Sequence, residues 1–517
     1  MQRLTSIFKT LVAFWALQGW ASENKPLAEP LSDKTRPAVV QSMFFKPCSQ
    51  QTGAMWDTWL YYQEGMYYLY HLAGPLSPPA FHGVALATSP DGVHWTERGV
   101  VLPKARDVVW MGSGSVWKSC NFEKDKKFIM NFSEWRGPDG RQSIFFAEST
   151  DLVHWERLGN ECEFKQDPRW YRRDGYWDAI YTVPRDGGGR YGYWSSQPKG
   201  FVGVGFGQTS DGTHWEALEP PKIEWGKFLH LSLPDNVAVG AVEKIGNNYY
   251  MMLGTSAGGM FTFVAERPQG PFRPAERNIQ LLSNKNNTFS RFFPTPGAML
   301  VNHHAWTRNG AVYFPVLKQA VVDERAALRL KWWKGNEKLK HEAIEVRIPA
   351  PTTAVAMLGK TFDTRRGLIL EGSVVLPASK DVARVGVYIE HSKDSGTAVL
   401  VDTNGATEFG AMRQDGSNFE VDDRLDREAT LPRTCRFRLL LKFSLIEFYL
   451  DDQMIQCYSL PGEPTGRIGF IAGGRPEAFR DLQAWYDMSS AASETSAVLA
   501  NPPGTWLTYH LAHWSTL

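Results

Sequence analysis

Two aspartates stand where strands rarely tolerate them. Asp57, in Trp56-Asp57-Thr58-Trp59-Leu60, and Asp178, in Tyr176-Trp177-Asp178-Ala179-Ile180-Tyr181, each follow a Trp at the head of an apolar and aromatic run. Asp is unfavourable inside a strand, so the matched pair reads as chemistry: gathered carboxylates act as nucleophile, general base or, with the proton kept, general acid. A third carboxylate is expected from Asp235 in Leu233-Pro234-Asp235-Asn236-Val237. Glu243, three residues before the turn Gly246-Asn247, is the alternative acid, and Glu134 ranks behind both. Small polar residues at Ser113 and Ser115, within Gly112-Ser113-Gly114-Ser115, leave room for a ligand. His303 and His304 are adjacent, so on a regular strand only one ring can face it. Trp56, Trp59 and Trp177 bring flat rings of the kind that stack on a sugar's C–H face, although most of the 20 Trp are expected in the core. Together these form the expected substrate-binding set. Neither the histidines nor the cysteines have metal-ligand spacing, and no metal or cofactor is expected.

The elements that must carry these residues repeat. Ala87-Thr88-Ser89-Pro90-Asp91-Gly92-Val93-His94-Trp95 is echoed by Ala147 to Trp155 and by Gly207 to Trp215, with a degenerate fourth copy at Ala265 to Phe272. Trp95, Trp155 and Trp215 lie 60 positions apart. A long period with one tight turn and one anchoring aromatic per unit is the signature of propeller blades. Each Asp is expected to make the turn and each Trp to pack between blades, which leaves His94, His154 and His214 structural. Aromatic runs separated by Gly and Asn turns fill each unit, and a fifth unit is expected to begin at Ala298 to Trp306, with Asn302-His303-His304 on its first strand. Five such units predict an all-β, five-bladed β-propeller. Its first strands surround a central funnel, where carboxylates far apart in sequence converge.

The 517 residues suffice for more than one domain. The propeller is expected over residues 41–347 and a C-terminal β-sandwich over 359–487, with a tail at 488–517. Residues 1–21 read as a signal peptide: Arg3 and Lys9, a short apolar core at Leu11 to Leu17, then Gly19-Trp20-Ala21. This predicts a secreted or periplasmic protein with no membrane association after cleavage. A net charge of +1 gives no footprint for nucleic acid. Among Cys48, Cys120, Cys162, Cys435 and Cys457, only Cys435 and Cys457 fall on nearby strand-like segments that could be bridged.

On these residues the chain resembles glycoside hydrolase family 32 and, more distantly, family 43. The run from Trp56 to Tyr70 resembles the family's Asn-Asp-Pro-Asn-Gly opening and following strand, and Met111 to Ser115 resembles its Ser-Gly-Ser segment. The Asp-x-x-His-Trp corners are typical of both families. Ile446 to Asp452 resembles the Glu-x-Phe-x-Asn-Asp-Gly strand of the family 32 sandwich. The resemblance implies a glycosidase acting on a carbohydrate, cleaving a terminal bond, with Asp57 as nucleophile and Asp178 as the aspartate that orients hydroxyls and stabilises charge. Trp177 and Ala179 replace the Arg and Pro that flank that aspartate in the family. The family's acid, a Glu followed by Cys in blade four, has no match there. Glu161-Cys162 and Asp167-Pro168 have suitable letters but precede Asp178 in an inter-blade stretch. A non-catalytic carbohydrate-binding propeller is the alternative.

Overall fold

The computed structural model describes residues 40–49, 53–75, 81–137, 141–226, 237–255, 259–283, 287–347, 354–377, 384–402, 405–473, 475 and 478–487. The expected signal peptide, the tail and Asp235 lie outside the described residues.

Five antiparallel sheets form the blades. Blade one runs Ala54–Gln63, Met66–Gly74, Gly83–Ser89 and Trp95–Pro103, and Val40–Gln41 adds an outer strand. Blade two has a broken first strand, Trp110–Met111 and Ser115–Lys118, followed by Phe128–Trp135, Ser143–Ser149 and Glu156–Arg157. Blade three is Trp177–Pro184, Arg190–Ser196, Val204–Thr209 and Glu216–Ala217. Blade four is Val237–Ile245, Asn248–Thr255, Met260–Ala265 and Arg273–Pro274. Blade five opens with Asn287–Thr295 and continues through Ala298–Trp306, Lys318–Val322 and Leu328–Trp332. The first strands touch in ring order, and blade five meets blade one.

Blade five therefore starts one strand earlier than the sequence suggested. Asn287–Thr295 contains Pro294 and leads into Pro296-Gly297, letters that argue against a strand. Pro294 lies next to the hairpin turn, where a missing donor costs little. His303 and His304 consequently sit on the second strand, away from the funnel lining.

The corners work as their letters imply. In each of the three full copies the Asp carboxylate accepts from the backbone N–H groups two and three residues ahead, for example Val93 and His94 onto Asp91 Oδ1 at 3.0 and 2.9 Å. The His Nδ1 closes on the other oxygen at 3.0, 2.6 and 2.7 Å for Asp91, Asp151 and Asp211. Burial pushes Asp211 up, but these donors pull its carboxyl down to about 2. The residue after Asp has φ of 73°, 66° and 95° in Gly92, Leu152 and Gly212, which explains Gly in two of the copies. Neighbouring blades latch onto these corners. Tyr70 donates to Leu152 O at 2.6 Å, Trp117 to Gly212 O at 3.2 Å and Tyr193 to Pro268 O at 2.6 Å. Trp95, Trp155 and Trp215 pack edge-on against Phe314, Tyr70 and Trp117 of the preceding blade.

The C-terminal β-sandwich pairs two sheets. One contains Leu368–Val375, Thr434–Lys442, Leu445–Leu450, Gln453–Ser459 and Phe479–Tyr486; the other contains Val355–Thr361, Val385–Ser392, Ser395–Val401, Ala406–Arg413, Glu420–Asp426 and Arg467–Ile471. Leu370, Phe437 and Phe448 meet Val387, Val399 and Phe470 in its core. The outer strand of blade five bonds into this domain through Lys331 and Gln453. Lys318 of blade five and Glu447 of the sandwich form a buried ion pair, and Tyr449 Oη donates to the other Glu447 oxygen at 2.5 Å. All five cysteines are free. Leu445–Leu450 separates the strands of Cys435 and Cys457; two inter-strand spacings, roughly 9–10 Å, exceed what a disulfide spans.

Candidate active site

The funnel mouth is shaped by one backbone device used in several blades. In the first strands of blades one, three and five the ladder slips register, between Trp56 and Thr58, Asp178 and Tyr181, and Thr288 and Arg291. Asp57, Ala179 and Phe289 occupy the slips with φ of 41°, 60° and 55°. Blade four slips between Val239 and Ala241, around Gly240. Bulges of this kind bend a strand and re-aim a side chain. They explain how Asp, a poor strand former, is accommodated here.

A second-strand Asn fixes two of the slips. Asn131 Nδ2 donates to Ile180 O at 3.1 Å while its Oδ1 accepts from Ile180 N at 3.0 Å. Asn302 Nδ2 donates to Thr58 O at 3.2 Å and Thr58 Oγ1 at 3.0 Å. Thr58 and Ile180 are thus equivalent, as are Asp57 and Ala179. The two Trp-Asp pairs of the sequence are offset by one residue, and Asp178 corresponds to Trp56. They converge because Asp57 projects from its bulge while Asp178 projects from the residue before one.

Asp57 and Asp178 are both half-buried. Ser113, fully buried, lies 3.5 Å from Asp178 Oδ2, and its hydroxyl also favours the charged form of Asp57. Ser133 donates to Asp178 Oδ1 at 2.6 Å. Gln142 Nε2 donates to Ser133 Oγ at 2.9 Å, so the Ser133 proton is directed to the carboxylate. Burial, then the charge of Asp178, push Asp57 up to about 8, against the pull of Arg291 and Ser113. Burial raises Asp178 only to about 6, because Ser133, Arg291, Ser113 and the Ala179 N–H favour its charged form. Both carboxyls are pushed above the usual carboxylate range, Asp57 further than Asp178.

Arg291 went unnoticed in the sequence because its strand did. It is 1% exposed, lies over the Phe289 ring at 4.6 Å, and its charge acts on both aspartates and on Tyr181. Burial lowers its guanidinium to about 10, which leaves it cationic.

The expected residues separate into three groups. At the mouth are Asp57, Asp178, Ser113 and the half-exposed Trp56, with Tyr176, which senses the charge of Asp178. Behind it are positioning residues. Ser115 donates to Ile180 O, and His304 Nε2 accepts from Thr58 N at 2.9 Å with its ring 5.1 Å from that of Trp56. In the core are Trp59, stacked on Tyr70, and Trp177, enclosed by Phe164, Tyr171 and Trp194. His303 bonds His304 O and approaches Glu447 at the sandwich. Ser115, Trp59, Trp177, His303 and His304, expected to contact substrate, are thus placed behind the mouth or in the core: alternate strand residues face opposite sides, and the bulges shift which ones do.

Glu243 accepts from Tyr181 Oη at 2.7 Å, and burial raises it to about 7 despite this bond. Glu134 is fully buried in a bidentate pair with Arg157 at 2.8 and 2.7 Å, which removes it as an acid. Among the described residues no group of three or more His, Cys, Asp or Glu forms a metal-binding set.

Neither a family model nor a curated protein matches the chain by sequence. Solved structures do match. Sucrose-6-phosphate hydrolase from Lactobacillus gasseri superposes with a TM-score of 0.66 at 12% identity, over 87% of this chain and 93% of that one. A Bombyx mori GH32 β-fructofuranosidase variant in complex with sucrose gives 0.64 at 11% identity, over 87% and 94%. Fructan 1-exohydrolase IIa from Cichorium intybus gives 0.60 at 12% identity, over 86% and 96%. The chain has a divergent glycoside hydrolase family 32-like fold. At this identity the likeness establishes the architecture alone.

Proposed function

We propose that this protein is a secreted glycosidase that cleaves a terminal sugar from an oligo- or polysaccharide at the funnel mouth. The observation that carries this reading is the Asp57–Ser113–Asp178 arrangement: two carboxyls from different blades beside one hydroxyl, raised unequally so that Asp57 keeps its proton to higher pH than Asp178, at the opening of a family 32-like funnel. Glycoside cleavage needs that combination, an acid for the leaving oxygen and an anion for the oxocarbenium-like state. Asp57 is the proton donor in this reading, and Asp178, with its hydrogen-bonded carboxylate, is the nucleophile or charge stabiliser. Trp56 offers a ring for stacking the sugar. Asp235 stays a proposed additional acid, and Glu243 an alternative.

A carbohydrate-binding propeller without turnover is the second reading. It is favoured by Gly240, which leaves the blade-four bulge without a carboxylate. Incubating the protein with a panel of plant, algal and microbial glycans separates the two: released reducing sugar supports the glycosidase, and saturable binding with no release on any member contradicts it.

A further inference from the structure

We propose that the funnel selects a sugar bearing a carboxylate, a uronic acid, and that Arg291 is the group that recognises it. This rests on reading the funnel as a sugar site. None of the three guanidinium nitrogens of Arg291 has a hydrogen-bond acceptor among the described residues, although the side chain is 1% exposed. The protein treats its other buried arginines differently. Arg427 donates to Ile455 O at 2.9 Å, Gln280 O at 2.7 Å and Leu281 O at 3.0 Å. Arg329 pairs with Asp323 at 2.7 Å, and Arg438 pairs with Glu371 and with Asp452. Arg291 is the exception, and it stands beside the two funnel carboxyls. Asp57 and Asp178 influence it without forming an ion pair, and Asp178 is already engaged by Ser133. Phe289 covers one face of the guanidinium, leaving its N–H edge for a partner.

A buried donor without an acceptor is costly, more so on a charged group, and the nearby charge of Asp178 supplies Arg291 with no hydrogen bond. A sugar hydroxyl offers one acceptor and no charge. A carboxylate offers two coplanar oxygens that match the guanidinium fork, with the opposite charge. A uronic acid in the funnel would satisfy the open donors with a charged, bidentate acceptor.

The test is binding of the methyl glycosides of glucuronic and galacturonic acid against those of glucose and galactose, by calorimetric titration at pH 7. The comparison uses the wild type, Arg291→Met and Arg291→Lys. The expected result is at least about tenfold tighter binding of the uronides by the wild type, the magnitude of one charge-assisted pair. Arg291→Met should lose the preference for the uronides, and Arg291→Lys should keep part of it. Should the Met variant not fold, the wild-type ratio alone decides. Equal or tighter binding of the neutral glycosides overturns the inference and leaves the sugar site standing. Binding of neither class overturns both.

Discussion

Ser133 holds Asp178 by a 2.6 Å hydrogen bond whose direction is set by Gln142 on the other side of the hydroxyl. The bond stabilises the carboxylate, one of the reasons Asp178 remains near 6 while Asp57 rises to about 8. If the active form is Asp57 protonated and Asp178 ionised, kcat/KM should rise through about 6 and fall through about 8. Ser133→Ala removes a donor to the charged form, so the acid limb should move upward, by about 0.5–1.5 pH units, with the alkaline limb nearly unmoved. A pH–rate profile on any turned-over glycan checks this, and an acid limb that moves downward would refute it.

Gly112 is required by the same carboxylate. A Cβ there would stand 2.2 Å from Ser133 Oγ and 2.6 Å from Asp178 Oδ1. Gly112→Ala should therefore displace Asp178 and reduce activity by roughly a hundredfold, the scale of an ångström-level misplacement. Global stability should change by only about 1–3 kcal/mol. Activity assays and urea unfolding of the one variant separate the two effects.

Asp57 links stability to pH. Its ordinary value is 3.8 and its folded value about 8, so between these the folded chain holds a proton that the unfolded chain has lost. Stability should fall as pH rises across that window, and the penalty is complete above pH 8. Asp57→Asn abolishes this slope. The variant should gain on the order of 2–4 kcal/mol over wild type at pH 8.5 relative to pH 4, after discounting the full shift for solvent at the open mouth. Denaturant titrations at the two pH values measure it; a gap that is unchanged or reversed would count against the buried, proton-retaining Asp57.

The contact between propeller and sandwich makes a separate prediction. Lys318 and Glu447 are both fully buried and paired. Lys318→Met leaves the Glu447 carboxylate uncompensated and should cost about 3–5 kcal/mol. Adding Glu447→Leu should recover most of that loss. Equal stability of the single and double variants in urea titration would contradict the pairing.

Much of this was legible in the letters. The corner Asp residues use local hydrogen bonds, so their motif reports directly on structure. The 60-residue period sets the number of blades for the same reason. Asp57 and Asp178 were visible because a carboxylate in a strand is anomalous. The rest depended on register. The bulges at Asp57 and Ala179 offset the two Trp-Asp pairs by a residue and turn Trp59 and Trp177 into the core, and no spacing rule encodes them. Pro294 hid the first strand of blade five, and with it Arg291. Ser133, between Phe132 and Glu134, has no sequence mark at all; only the next blade's carboxylate gives it meaning.

The proposed function requires that Asp57 and Asp178 act together on a glycosidic bond. It is tested most directly by comparing hydrolysis by the wild type with that by Asp57→Asn and Asp178→Asn on the glycan the wild type turns over fastest. The account predicts a loss of at least about a thousandfold in kcat for each variant, with sugar binding retained. Rates equal to wild type in either variant would contradict it.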